Sequence, residues 1–301
     1  MSDLPLISVC IPIFNSDATS LVNKLVDQAN NLDNRVEIVV IDDCSSGEWK
    51  LKNETINNLC NYVQLSENSG RSKIRNSFLN YTRGDFLLFI DGDSEIISDN
   101  FLTDYLNFTE KNNPDVLVGG SVYQIKKPNR SQLLRWKYSI YRESKPSGLR
   151  EKLNLGFKTN NFLIRRAIFS RTPFSEKLIG YGHEDTFFGI QLDYQKSKIQ
   201  HIENPVLNKQ LDKNAVFLKK TENSISNLIY IYSLKDEFPK IKEIRLIQAY
   251  ERLSKQNLCG FVLCSYNLTE NGLLFFLKKG LFTLWMFDFY KLGLFIRKIK
   301  S

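Results

Sequence analysis

"GDFLLFIDGDSEIISDNF", from Gly84 to Phe101, is the stretch whose reading decides the rest of the chain. Five apolar residues, Phe86 to Ile90, lie between Gly84-Asp85 and Asp91-Gly92, which gives them the length and edges of a buried strand. Asp91 and Asp93 then stand where that strand leaves the core, with Glu95 a third acid close behind. Two carboxylates so placed suit a hard divalent cation, Mn2+ or Mg2+, which prefers oxygen ligands and completes its shell with water or phosphate oxygens. Asp-Gly-Asp is also favoured turn chemistry, and taken alone it requires nothing more.

Upstream, Leu6 to Ile13 is an apolar run, followed by "SDATSLVNKLVDQANNL" with Leu21, Val22, Leu25, Val26 and Ala29 at helical spacing. Val36 to Ile41 is a second strand ending at Asp42-Asp43, and Tyr62 to Leu65 a short third. The stretch "RSKIRNSFLNYT" then reads as helix, with Ile74, Phe78 and Tyr81 on one face. Strands alternating with helices predict a mostly parallel sheet covered on both faces, with ligands beyond the carboxyl ends of its strands. Pro12 to Asn15, Asp42-Asp43 and Asp91 to Asp93 are all expected there.

Downstream, Val116 to Tyr123 is apolar, but Gln124 to Leu155 has no clear period and is left unassigned. In "LIGYGHEDTFFGIQL" the glycines mark a turn, and Glu184-Asp185 open a helix whose dipole suits first-turn carboxylates. From about Asn214 the chain reads helical to its end. The expected division is a catalytic domain over 1–213 and a helical region over 214–301.

At 301 residues, 42% hydrophobic and 25% charged, the composition is that of a folded globular protein. The net charge is +8, and between Asn271 and Ser301 six basic residues face Asp288 alone, a local +5. Eight aromatics share that segment, so an anionic membrane surface is a better partner for it than a nucleic acid. Its longest apolar run, Gly280 to Phe287, is too short to span a bilayer. Five cysteines without a CxxC pair indicate neither a zinc site nor a disulfide framework, and the N-terminus lacks a secretory pattern. A cytoplasmic protein is expected, with its C-terminus the segment that would bring it to the inner membrane face.

Four blocks, "ISVCIPIFN", "VEIVVIDDCSS", "NSGRSKIRNSFLNYTRGDFLLFIDGDS" and "GYGHEDTFFGIQL", together resemble the family 2 glycosyltransferases of GT-A fold, over roughly residues 5 to 210. The resemblance implies an α/β GT-A fold, a Rossmann-like mixed sheet with a helical C-terminal extension. It implies that Pro12, Phe14 and Asn15 border a nucleotide base and that Asp43 pairs with it. Asp91 would approach the ribose or metal, Asp93 would bind the metal bridging the diphosphate, and Asp185 would be the catalytic base with Glu184 beside it. In a bacterial subset of the family a histidine often follows Asn-Pro-Val by two residues, whereas Asn208 stands there in this chain. The function so implied is inverting, metal-dependent sugar transfer from a nucleotide-diphosphate sugar, most plausibly a UDP-sugar, to a saccharide or lipid-linked acceptor in surface-polysaccharide synthesis. The alternatives are a nucleotidyltransferase, disfavoured by the lack of a Gly-rich basic loop in "PIFNSDATS", and a non-catalytic module binding membranes or polyanions.

Overall fold

The computed structural model describes residues 6–152 and 157–300. Met1 to Pro5, part of the stretch read for a leader, and Leu153 to Leu155, the end of the unassigned stretch, lie outside the described residues. The chain divides into two compact units: residues 1–124, 144–176 and 191–210 form the first, and 125–143, 177–190 and 211–301 the second.

In the first unit, strands β1 (Ile7–Ile13), β2 (Val36–Asp42), β3 (Asn61–Gln64), β4 (Phe86–Ile90), β6 (Val116–Val118), β8 (Asn161–Arg165) and β9 (Ile199–His201) form a sheet of order β3-β2-β1-β4-β8-β6-β9. All five residues of β4 are buried, as are six of the seven in both β1 and β2, which is why these strands read as unbroken apolar runs. Every pairing is parallel except those of β8, which runs antiparallel to both β4 and β6. A second sheet joins β5 (Ser94–Ile96), β10 (Val206–Asn208) and β7 (Ser121–Tyr123).

Helices are numbered along the chain. Those of the first unit are α1 (Thr19–Ala29), α2 (Gly47–Glu54), α3 (Arg71–Ser77), α4 (Phe101–Asn112), α6 (Ser147–Lys152) and α7 (Arg166–Arg171). One face of the large sheet packs Val9, Ile11 and Leu88 against Leu21, Val22 and Leu25 of α1 and Leu102 and Leu106 of α4. On the other face Phe89 stacks on Phe162 at 5.0 Å and meets Phe78 edge-on at 5.7 Å. Tyr81 departs from expectation. It is 38% exposed, because α3 ends at Ser77 and tightens into a 3-10 turn over Phe78–Asn80, which carries Tyr81 off the buried face.

The second unit contains α5 (Leu133–Tyr138), the start of α8 (Glu184–Tyr194), α9 (Asn214–Ser233), α10 (Arg245–Lys255), α11 (Cys259–Lys279) and α12 (Leu284–Lys300). Its own core gathers Phe187, Phe217, Leu228, Ile231, Tyr266, Leu277, Phe287 and Phe295. Among the described residues no helix is long and apolar enough to cross a membrane.

Candidate active site

Strands β2, β1 and β4 are adjacent and parallel, so the loops following them leave the same edge of the sheet. That places Pro12, Phe14 and Asn15, then Asp43, then Asp91 and Asp93 along one edge of the first unit.

The loops after β1 and β2 are stitched together. The Asn15 amide donates to Ser45 Oγ at 2.8 Å, the Ser46 amide to Asn15 Oδ1 at 3.1 Å, and the Asp43 amide to the Ile13 carbonyl at 2.8 Å. Asn15 and Cys44 sit in the left-handed region, with φ of 47° and 66°, conformations that these cross-links hold in place. Phe14 stands 50% exposed beside them, an apolar surface against which a flat ring can lie.

The two aspartates that end β2 differ in what they face. Asp42 is fully buried and accepts from the Ser45 amide at 2.7 Å and from the Tyr62 hydroxyl at 2.8 Å. Burial, and then that bond to Asp42, push the Tyr62 hydroxyl well above the ordinary tyrosine range. Asp43, 3% exposed, accepts the Ser69 amide and hydroxyl on Oδ1, at 2.6 and 2.7 Å, and the Gly70 amide on Oδ2 at 2.9 Å. Asp43 therefore fixes the entry to α3, and Oδ2, with a single donor, retains the greater capacity to accept from a base edge.

Gly92 explains the middle residue of Asp-Gly-Asp. A Cβ built there would lie 2.4 Å from Ile13 Cγ2, so only glycine lets the turn after β4 close onto the end of β1. The Ser94 amide closes that turn by donating to the Asp91 carbonyl at 3.0 Å. Asp91 Oδ1 accepts from Arg75 Nη2 at 2.7 Å, and the Arg75 side chain is only 3% exposed against 28% for Asp91. Arg75 also donates to the Arg71 carbonyl at 3.1 Å and lies over the Phe174 ring at 5.8 Å. By its place in α3 alone, Arg75 could cover its helix with its stem or reach a phosphate. The structure gives it a third task, holding a carboxylate sixteen residues away in the chain.

Asp93 is exposed. One residue on, Ser94 pairs with Asn208 across β5 and β10, and the Ser94 hydroxyl lies 3.5 Å from Asn208 Oδ1. The donor set near the turn is thus carboxylate and amide oxygen, which fits a hard divalent cation better than a soft one. Among the described residues no three or more His, Cys, Asp or Glu side chains are grouped to hold a metal, so a cation here would draw much of its shell from water or ligand oxygens. A cleft of about 750 Å³, lined by Glu37, Cys60, Asn61 and Arg83 among others, lies instead by the amino ends of β2 and β3, away from these acids.

Glu184 and Asp185 begin α8 in the second unit. The turn before them is left-handed at three positions, Gly180 (φ 76°), Gly182 (φ 101°) and His183 (φ 68°). It is pinned by α9, where Asn227 Nδ2 donates to the carbonyls of Ile179 at 3.1 Å and Gly182 at 2.9 Å. A Cβ on Gly182 would fall 2.3 Å from Ser224 Cβ. Glu184, 8% exposed, closes the turn by accepting the Gly182 amide at 2.9 Å, whereas Asp185 is half-buried and accepts from the Thr186 amide and hydroxyl. Of the two acids, the structure commits Glu184 to the turn and leaves Asp185 the more accessible. No sequence signal pointed to Asn227, whose role depends on a loop about 45 residues away.

Comparison with known proteins agrees with this architecture. The family model described as "Glycosyl transferase family 2" matches residues 8–176. The poly(ribitol-phosphate) beta-N-acetylglucosaminyltransferase TarS of Staphylococcus aureus is 36% identical over 116 residues, 37% of this chain and 20% of TarS, so the chain spans only a fifth of that relative's length. Among solved structures, S. aureus TarS 1–349 in complex with UDP-GlcNAc aligns over 97% of this chain and 91% of its own, with TM-score 0.53 and 18% identity. The mannosyltransferase PcManGT of Pyrobaculum calidifontis, in complex with GDP-Man and Mn2+, aligns over 99% and 87%, with TM-score 0.58 and 15% identity. At those identities the structural likeness speaks to fold, and the family match, which covers more than half of the chain, speaks to kind: this protein is a glycosyltransferase of GT-A fold belonging to glycosyl transferase family 2.

Proposed function

We propose that the protein transfers a sugar, with inversion, from a UDP-sugar to a saccharide or lipid-linked saccharide acceptor, in surface-polysaccharide synthesis at the cytoplasmic side of a membrane. The observation that carries this reading is the Asp91-Gly92-Asp93 turn, wedged against Ile13 and fixed through Arg75 at the edge where Asn15, Asp43 and Phe14 also stand. The UDP-GlcNAc complex of the TarS fragment supports uracil as the base; the GDP-Man complex of PcManGT is the contrast.

In this reading Phe14 lies against the base and Pro12 and Asn15 shape its border, while Asp43 accepts from its edge. Asp91, oriented by Arg75, faces the ribose and the metal side. Asp93 would hold Mn2+ or Mg2+, with Asn208 the neighbouring oxygen donor. A cation so held would supply positive charge against the diphosphate leaving group, without a proton being moved. Asp185 takes the proton from the acceptor hydroxyl as its oxygen bonds to the anomeric carbon and the carbon–oxygen bond to the diphosphate breaks. A carboxylate in that role contributes about 10²- to 10⁴-fold. Glu184 serves by shaping the turn that presents Asp185. The division into a catalytic portion, 1–213, and a helical portion, 214–301, belongs to the same proposal.

Calorimetric titration with UDP and with GDP, each with and without Mn2+, tests it on the wild type and on Asp93→Ala. Metal-dependent UDP binding that is lost in the variant is the expected result. Binding of neither nucleotide by the folded protein, or equal binding with and without metal, would overturn the donor assignment. Asp185→Asn is expected to retain UDP binding and lose turnover.

A further inference from the structure

Helix α11 is apolar on two opposite faces. Cys259, Tyr266, Leu273 and Leu277 form the inner face, all buried in the core of the second unit. At 100° per residue, Phe261, Leu268, Phe275, Phe276 and Lys279 share the opposite arc with Ser265 and Gly272 between them, and the apolar four are 74%, 82%, 54% and 44% exposed. A helix that needed only to pack on its own unit would carry polar residues there. At 1.5 Å per residue the stripe from Phe261 to Lys279 runs about 27 Å.

Exposed apolar residues also follow the end of the helix in sequence. Gly280, left-handed at φ 73°, caps α11, and a Cβ there would lie 2.4 Å from the Arg130 carbonyl oxygen, so glycine is required for the corner. Just beyond, Leu281 is 49% and Trp285 71% exposed, and the Trp285 ring stacks on Phe289 at 5.8 Å.

The charge at this corner is one-sided. Lys278, Lys279 and Arg130 are all exposed there. The only acid of α11, Glu270, lies on the far side and accepts two bonds from Arg297, at 2.6 and 2.8 Å. Asp288 of α12 is engaged by Arg142 and Lys291, both at 2.9 Å. An exposed aromatic and aliphatic stripe ending in cations, with the nearby acids on other partners, complements an apolar surface that carries negative charge.

We infer that the outer face of α11, with the Gly280 corner and Trp285, docks this glycosyltransferase onto an anionic lipid bilayer, with α11 lying in the plane of the interface. This deepens the membrane-side placement proposed above by naming the surface and its ligand. It does not depend on the donor assignment, because vesicle binding and nucleotide binding are measured separately.

The test is flotation of the full chain with vesicles of phosphatidylcholine alone and of phosphatidylcholine with 30 mol% phosphatidylglycerol, at low and high salt. The expected result is binding to the anionic vesicles that weakens with salt. Lys278→Gln and Lys279→Gln should each cost about fivefold in partitioning. The triple variant Phe261→Ser, Leu268→Ser, Trp285→Ser should lose at least tenfold while its circular dichroism melt and UDP titration stay those of the wild type. Failure of the wild type to float, or equal flotation of the triple variant, overturns the inference. Light scattering that shows a dimer, turned into a monomer by the triple variant with flotation unchanged, assigns the stripe to a second copy of the chain and equally overturns it.

Discussion

Arg75 and Arg150 are both buried in the first unit, at 3% and 8% exposure, and both carry an Nε without a hydrogen-bond partner, yet their heads face different chemistry. Arg75 donates to a carboxylate, Asp91, at the edge where the strands end. Among the described residues Arg150 donates to main chain alone, to the carbonyls of Val118 at 3.3 Å, Gly119 at 3.1 Å and Ile202 at 2.8 Å, tying α6 to the ends of β6 and β9. Burial lowers the affinity of Arg150 for its proton, opposed by the Glu203 charge. The contrast separates a cation that orients an acid at the candidate site from one that cross-links the backbone where β6 gives way to Gly119-Gly120.

Substitutions can break that contrast. The largest effect is expected for Arg150→Met, which removes three hydrogen bonds and leaves the Ile202 carbonyl without its donor, while Val118 and Gly119 keep the amides of Ile202 and Asn204; it should cost about 3 kcal/mol in urea unfolding, with UDP affinity of the folded protein unchanged. Gly92→Val drives a side chain into Ile13 and should cost about 2 kcal/mol, this time with loss of nucleotide binding, since it opens the turn. Arg75→Met should cost about 1 kcal/mol yet weaken metal-dependent UDP binding about tenfold. If instead Arg75→Met unfolds the protein as readily as Arg150→Met and leaves nucleotide affinity intact, the two arginines do the same work and the distinction fails.

A smaller effect sharpens it. Burial first, and the Arg150 charge second, lower the His201 imidazole to about 4 from its ordinary 6.5. The folded chain therefore keeps His201 neutral where the unfolded chain is protonated, so stability is retained above about pH 6.5 and falls as pH drops from there toward about 4. His201→Gln should flatten that part of the melting-temperature profile. Arg150→Met should shorten the window from its acid end without abolishing it, because burial is the larger cause.

Much of this was legible in the sequence, for identifiable reasons. Strands β1, β2 and β4 are buried on both faces, so each is a continuous apolar run whose end is marked by Asn15, Asp42-Asp43 or Asp91-Gly92. The helix over Thr19–Ala29 and the helical C-terminus follow from 3.6-residue spacing in the same way. The antiparallel course of β8 was not legible, because "NFLIR" has the same composition whichever way it is threaded. Nor were β5, β7 and β10, three residues each, which are too short for alternation to register. At the site, Asp91 and Asp93 could be placed from the run before them, while the Arg75 contact to Asp91 could not, since it depends on how α3 crosses the sheet. The C-terminal aromatics read as a surface feature in sequence, whereas in α11 core and surface uses occupy opposite faces of one helix.

The small sheet has a consequence for how this chain can change over generations. Strand β10 lies between β5 and β7 and is paired to both, with Asn208 opposite Ser94 on one side and Tyr123 on the other. Because side chains alternate along a strand, a single codon gained or lost within Glu203–Val206 would rotate Asn208 to the opposite face and present Leu207 or Lys209 beside the Asp91–Asp93 turn. Point substitution at Asn208 can therefore be explored one residue at a time, but length variation there cannot. Lineages of this enzyme should tolerate insertions in surface connections such as 124–130 while keeping the spacing from Asn204 to Asn208 fixed.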